Sequence, residues 1–249
     1  MVKRLANRKA FITGGSEGIG AAIARLYAQE GADIILMARN KERLDALAAE
    51  LEGYGVRATA LVGDLADRRS VAAVGDQVVV TSAGRLDIFV ANGATSGPVA
   101  PIAMVTPDQW DTVFQSNVLA NVQLLHMLQP LLEQSDAGRV IFMSSGAARV
   151  TRLPNTSYAV TKASLEAIAR IYAADTNDGP IRANIINPGP TRTDMRARHF
   201  PHEDPMTLHT ADDVARLALA LADPACTQTG QNIDYMSWAA ERGGETPTS

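Results

Sequence analysis

The stretch Thr13-Gly14-Gly15-Ser16-Glu17-Gly18-Ile19-Gly20 constrains the fold of this chain more than any other. Before it lies a short apolar run, Ala10-Phe11-Ile12, which reads as a buried strand. After it comes a helical pattern with Ile19, Ile23, Leu26 and Tyr27 on one face and Gly31 as its stop. Strand, glycine turn and helix together form the opening of a dinucleotide fold. Gly14 permits the tight turn, Gly18 lets the backbone approach a pyrophosphate, and Gly20 lets helix and strand pack closely. The helix start would offer free N–H groups and a positive dipole end to phosphates. The spacing is Gly-x-x-x-Gly-x-Gly rather than Gly-x-Gly-x-x-Gly, so a turn of structural role alone is the competing reading.

Strands and helices alternate through the rest of the chain. The second strand, Ala32 to Ala38, ends in Ala38-Arg39-Asn40. An acidic residue at that position would accept the ribose 2′-hydroxyl of NAD, whereas Arg39 suits a 2′-phosphate. Glu17 argues the other way by repelling that phosphate, unless it pairs with Arg39. The balance favours NADP(H) over NAD(H). Asn40 can cap a helix over Lys41 to Leu51, and Arg57 to Val62 is the third strand. Asp64 and Leu65 follow it, with Asp64 either capping a turn or touching adenine. Residues 70 to 84 are expected as a helix from their place in the alternation, although Val78-Val79-Val80-Thr81 favours a strand locally. Leu86 to Val90 is the fourth strand, and the small residues of Ala91-Asn92-Gly93-Ala94 would let a ribose lie against the backbone.

Trp110 to Leu132 reads as one long helix containing Asn117, Arg139 to Ser144 as the fifth strand, and Tyr158 to Ala174 as a helix. That helix carries Ala159, Ala163, Ala167 and Ala169, small residues that could pack against another subunit. Ile181 to Ile186 is the sixth strand, followed by the rigid turn Pro188 to Thr193 and a polar flap, Asp194 to His209, expected to be mobile. A helix over Asp212 to Leu221, a last strand over Gly230 to Met236 and a frayed tail from Glu241 complete the chain. The expected fold is α/β, a Rossmann-like doubly wound parallel sheet of about seven strands with helices on both faces, in one domain over residues 1–249.

The chemistry gathers between Ser144 and Lys162. Tyr158 and Lys162 stand four residues apart, so on a helix they share one face. A phenol titrates near ~10, and a neighbouring ammonium favours its ionised form. A tyrosine so tuned can pass a proton to or from an alcohol oxygen. Ser145, at the exit of the fifth strand, could hold that same oxygen.

Composition limits the alternatives. The 249 residues carry a net charge of −4 without a basic block, which argues against nucleic acid as the main partner. Cys226 is the single cysteine, which fits a reducing, cytoplasmic setting. Met1 to Lys9 is polar and basic and the apolar run after it is short, so neither a signal peptide nor a membrane span is expected. His199 and His202 lie in a loop without a carboxylate framework, and no metal is expected.

The glycine turn, Asn117, Ser145 and the Tyr158/Lys162 pair, in this order, resemble the short-chain dehydrogenase/reductase family over about residues 7 to 238. The resemblance implies a cofactor cradle of Gly14, Ser16, Glu17, Gly18, Ile19, Arg39, Asp64, Leu65 and Asn92, completed by Tyr158, Lys162, Pro188, Gly189, Thr191 and Thr193. It implies Tyr158 as general acid or base and Ser145 as the group orienting the substrate oxygen. Lys162 would lower the tyrosine pKa and bind the nicotinamide ribose, and Asn117 would hold a water that connects Lys162 to solvent. The implied reaction interconverts a ketone or aldehyde and an alcohol, on a small-molecule substrate, in a homotetramer or homodimer. An NAD-preferring alcohol, sugar or steroid-type dehydrogenase and a non-catalytic nicotinamide sensor are the alternatives. The family's Asn-Asn-Ala-Gly reads Ala91-Asn92-Gly93-Ala94 here, and its Asp-Gly-Gly after the last strand is replaced by Met236-Ser237-Trp238. Residues 146–155 should wall the substrate pocket and residues 194–209 should cap it. Leu153, Met195 and Phe200 suggest an apolar substrate body. Arg149 and Arg152 are either surface charges or a site for an anionic group.

Overall fold

The computed structural model describes residues 3–150 and 156–243. In chain order these form β1 (Lys9–Thr13), α1 (Gly18–Gln29), β2 (Asp33–Ala38), α2 (Lys41–Glu52), β3 (Ala58–Val62), α3 (Arg68–Ser82) and β4 (Ile88–Ala91). Then follow α4 (Pro107–Phe114), α5 (Ala120–Leu132), β5 (Arg139–Met143), α6 (Thr156–Asp175), β6 (Arg182–Asn187), α7 (Asp194–His199), α8 (Ala211–Ala222), β7 (Asn232–Asp234) and α9 (Tyr235–Glu241). The strands make one parallel sheet in the order β3-β2-β1-β4-β5-β6-β7. The order reverses between β1 and β4, and a crevice opens there at the carboxyl ends of the strands.

The strands read as apolar runs because both faces of the sheet are covered. Alternate side chains go to opposite faces. Ala10, Ile12, Ile34, Leu36, Val90 and Ile141 join Ile23 and Tyr27 of α1, Leu44 and Leu47 of α2, and Val214 and Leu217 of α8. Phe11, Ile35, Met37, Phe89, Val140 and Phe142 join Val74 of α3, Leu124 and Leu128 of α5, and Leu165 of α6. Burial of each such side chain stabilises the fold by roughly 1.5–3 kcal/mol before entropy is counted. Tyr27 also donates its hydroxyl to the Ala218 carbonyl at 2.9 Å, which ties α1 to α8.

Four segments differ from the sequence reading or refine it. Residues 68–82 are helical throughout, because Val71, Val74 and Val78 fall on the sheet-facing side at helical spacing and outweigh the local strand preference of the valine run. The stretch from Trp110 to Leu132 is not one α-helix. A turn of π-helix, Gln115–Leu119, separates α4 from α5, and it contains Asn117. The last strand stops at Asp234, whose side chain caps α9 by accepting from the N–H groups of Met236 and Ser237. Tyr235 and Met236 are therefore helical. The flap holds α7 and a short 3₁₀ turn, Pro205–Thr207, capped by Thr193 and Asp204. Arg196 braces it through two bonds to Glu203, at 2.6 and 2.7 Å. Of the tail, residues 244–249 lie outside the described residues. Among the described residues no helix is long and apolar enough to cross a membrane.

Candidate active site

The glycine turn sits at the switch point with its backbone open. Every other α-helix with a described residue before it and a non-helical entry has a side-chain cap: Asn40, Asp67, Thr106, Thr193, Thr210 and Asp234 serve this role. At α1 the N-cap residue is Glu17, whose side chain makes no capping bond, and the first turn carries no acidic residue. The leading N–H groups of α1 are thus left for an external anion. Gly14 has φ +64°, and a Cβ there would lie 2.7 Å from the Cα of Gly93. A Cβ on Gly20 would overlap the Gly14 carbonyl oxygen. Asn92 braces this turn from behind, donating to the carbonyls of Thr13 and Gly14 at 3.0 and 3.2 Å. It supports the cradle, and its amide is spent on protein. Gly18, at φ +55°, faces Thr193 across the crevice, where an added Cβ would meet the threonine methyl at 3.4 Å. The chemistry of this set fits a dinucleotide pyrophosphate.

The ends of β2 and β3 lie to one side of the glycine turn. Asp64 accepts from the N–H of Ala66 at 2.9 Å, while α3 is capped by Asp67, so Asp64 shapes its own turn. Leu65 lies against Gly93 and accepts from Gln115 on its carbonyl at 3.4 Å. Ser16 and Ile19 are half-buried, and Arg39 is exposed. The Glu17–Arg39 pair that the sequence left open as an alternative is not formed. Glu17 pairs with Arg43, one turn into α2, because that helix face turns toward the glycine loop. Arg43 was missed in the sequence, although Asn40 as a cap places it in the first turn beside the β2 end.

Tyr158, Lys162, Ser145 and Asn117 converge at the carboxyl ends of β4 and β5. Tyr158 is half-buried. Desolvation pushes its phenol above the usual range, and hydrogen bonding to Ser145 pulls it part of the way back. Lys162 is buried, and its Nζ donates to the Met143 carbonyl at 2.6 Å and lies 5.6 Å from the centre of the Tyr158 ring. Burial lowers its own pKa to about 8. The net shift of the phenol is therefore upward, against the expectation that Lys162 lowers it, and burial is its largest cause. Asn117 is fully buried, with Oδ1 accepting from Thr95 N–H at 2.8 Å and Nδ2 donating to the Thr95 carbonyl and to Thr161 Oγ1 at 2.8 and 3.0 Å. Thr161, beside Lys162, donates in turn to the Tyr158 carbonyl at 2.8 Å. Thr95 and Thr161 carried no sequence signal beyond that adjacency.

Near the proposed substrate pocket, Ser144 donates to the buried Glu166 at 2.7 Å, and Arg149 reaches the same carboxylate at 3.8 Å. That partner accounts for Arg149; Arg152 and Leu153 lie outside the described residues. Met195 and Phe200 are half-buried, with the Arg196 guanidinium 3.7 Å above the Phe200 ring. The loop Pro188 to Thr193 is held at its start by Asn187, which donates to Asp234 at 2.8 Å and accepts from Gly189 N–H at 3.3 Å. At its far end Thr193 caps α7. The Thr191 hydroxyl is buried. Among the described residues no cluster of three His, Cys, Asp or Glu side chains could hold a metal ion.

The chain is similar to known proteins over most of its length. A family model described as short chain dehydrogenase matches residues 8–204. The Escherichia coli (strain K12) protein "Uncharacterized oxidoreductase YciK" is 37% identical over 233 residues, covering 92% of this chain and 92% of the relative. A short chain dehydrogenase from Shigella flexneri 2a str. 301, complexed with NADP, superposes with a TM-score of 0.88 at 35% identity over 95% of this chain and 100% of its own. One from Escherichia coli CFT073, complexed with NADPH, gives 0.88 at 35% identity over 94% and 99%.

Proposed function

The chain belongs to the short-chain dehydrogenase family, whose members are oxidoreductases acting on CH–OH groups with NAD(P), and from that premise we propose that it is an NADP(H)-dependent reductase of ketones or aldehydes. The observation that carries the proposal is the connected set at the ends of β4 and β5. Ser145 acts on the Tyr158 phenol and draws its pKa down, Lys162 is fixed to the strand that leads into Ser145, and Asn117 is fixed through Thr161 to the turn of helix holding both Tyr158 and Lys162.

Bound NADPH supplies the hydride. Its pyrophosphate would be held by the open start of α1 at Gly14, Ser16, Gly18 and Ile19, and its adenine side by Asp64 and Leu65. The loop of Pro188, Gly189, Thr191 and Thr193 would hold the nicotinamide end. Ser145 offers its hydroxyl to the substrate carbonyl oxygen and fixes the orientation of the reacting bond. Tyr158 donates its proton to that oxygen. The phenol, held above its usual range, stays protonated at neutral pH and can serve as the acid. Lys162 keeps a positive charge near the phenolate left behind and offers Nζ to the nicotinamide ribose. Asn117 holds the helix turn through Thr161, so that Tyr158 and Lys162 keep their spacing.

Arg39, exposed at the β2 end, and Arg43 beside it would bind a 2′-phosphate. The Glu17–Arg43 pair neutralises the one carboxylate that would repel it, and the NADP- and NADPH-bound relatives support the same preference. Half-buried Met195 and Phe200 in the flap support an apolar substrate body. The test is oxidation of NADPH and of NADH across ketones, aldehydes, a 3-ketoacyl thioester and sugars, with Arg39→Asp run beside wild type. Faster NADPH turnover that Arg39→Asp reverses supports the reading. An unchanged preference removes Arg39 from it, and cofactor binding without turnover on any carbonyl favours a sensor.

A further inference from the structure

We propose that His209 is a positioning residue for the nicotinamide end of the cofactor, a role that rests on the function proposed above. His209 is the last residue of the flap and stands two residues before α8. It is buried, and it meets the Pro188–Thr193 loop in two ways. Its backbone pairs with Thr191 in a parallel bridge and accepts from Arg192 N–H at 2.9 Å. Its Nε2 lies 2.9 Å from Thr191 Oγ1.

The Thr191 hydroxyl also lies 3.2 Å from the Gly189 carbonyl. It lies 3.4 Å from the Pro188 carbonyl as well and has one proton to give, so the direction of its bond with the imidazole follows the ring tautomer. Gly189 takes φ +68°, and its open side faces the imidazole, with Cε1 3.5 Å from where a Cβ would stand. The ring thus touches the tightest point of the loop.

The imidazole is itself held from behind. It stacks on Tyr235 of α9 with centroids 4.4 Å apart and an interplanar angle of 32°. Beyond it, α8 opens with a reciprocal cap between Thr210 and Asp213 and is tied to α1 through Tyr27. The helix that meets the pyrophosphate and the loop that meets the nicotinamide are therefore joined through α8 and His209. Burial holds the imidazole below its usual range, against the pull of the Pro188 backbone, Asp213 and Asp234, so it serves as a neutral ring at physiological pH.

The experiment compares wild type, His209→Phe, His209→Gln, and Thr191→Val alone and with His209→Phe. Affinities for NADPH and for 2′,5′-ADP, which lacks the nicotinamide half, are measured by calorimetric titration, together with KM and kcat. Phenylalanine keeps the ring contact with Tyr235 but cannot bond Thr191; the glutamine amide restores both a donor and an acceptor near Nε2. Loss of one hydrogen bond predicts about three- to tenfold weaker NADPH binding in His209→Phe, with 2′,5′-ADP affinity held within about twofold. His209→Gln should recover most of the NADPH affinity, and adding Thr191→Val to His209→Phe should cost little more than either change alone. The role is overturned if His209→Phe binds NADPH like wild type, if it loses both ligands equally, or if glutamine gives no rescue. Wild type that binds neither ligand overturns the proposed function and this role with it. Wild type that binds and turns over while His209→Phe is unaffected overturns the role alone.

Discussion

Tyr158 must release a proton that desolvation holds on, and Lys162 must keep a charge that burial works to remove. Substituting Tyr158→Phe should cut turnover by about 10²–10⁴ while NADPH affinity, read by titration, stays near wild type. The pH response follows from Lys162. Its folded pKa, about 8, lies below its ordinary 10.5. Between those values the unfolded chain binds the extra proton, so stability contributed at this site rises with pH. Urea unfolding of wild type and Lys162→Met across that range should show the difference moving toward wild type by about 3 kcal/mol at most. A flat difference would mean that Lys162 stays charged when folded. Reductase activity should fall as pH rises through about 8, where the ammonium beside Tyr158 is lost. Tyr158, Lys162 and Ser145 were legible because helical and strand-exit spacings are local. The Asn117 contacts with Thr95 and Thr161, and the Glu17–Arg43 pair, span 22 to 44 residues, and no periodicity encodes them.

Turns and caps decide where the elements begin and end. The glycine turn was legible because its residues answer steric demands that few other residues meet. Gly20 and Gly55 give a direct contrast. An alanine at Gly20 meets the Gly14 carbonyl, whereas Gly55, at φ +80°, has open space around it. Gly55→Ala should cost about 1 kcal/mol, the left-handed backbone penalty alone. Gly20→Ala should cost several times more and abolish NADPH binding; equal losses in thermal unfolding and unchanged binding would show that the turn yields freely. The last strand was misjudged because the polar–apolar alternation of Asn232-Ile233-Asp234-Tyr235 runs on past the strand, while the ending is set by the Asp234 cap. The flap read as open chain because its order comes from ion pairing and stacking around Arg196, not from hydrophobic periodicity.

At the scale of the molecule, the parallel sheet and its switch point were readable from alternation alone, since a sheet buried on both faces leaves apolar runs spaced by amphipathic helices. Assembly was not. In this chain α6 presents Val160 and Ile171 to solvent, and Leu119 just before α5 and Val122 within it are likewise exposed. We expect a homodimer or homotetramer in light scattering, and Ile171→Glu should shift the mass toward one chain; a wild-type monomer at micromolar concentration would contradict this. The turn of π-helix at Gln115–Leu119 has its own consequence for how the chain length can change. Such a turn holds one residue more than an α-helical turn. Deleting any one residue there would let the helix run on without interruption, and everything on its N-terminal side would swing by about 100° about the helix axis. The loops that the chain carries on its surface can gain or lose residues freely, but this single surplus residue sets the phase between Asn117 and the helix behind it.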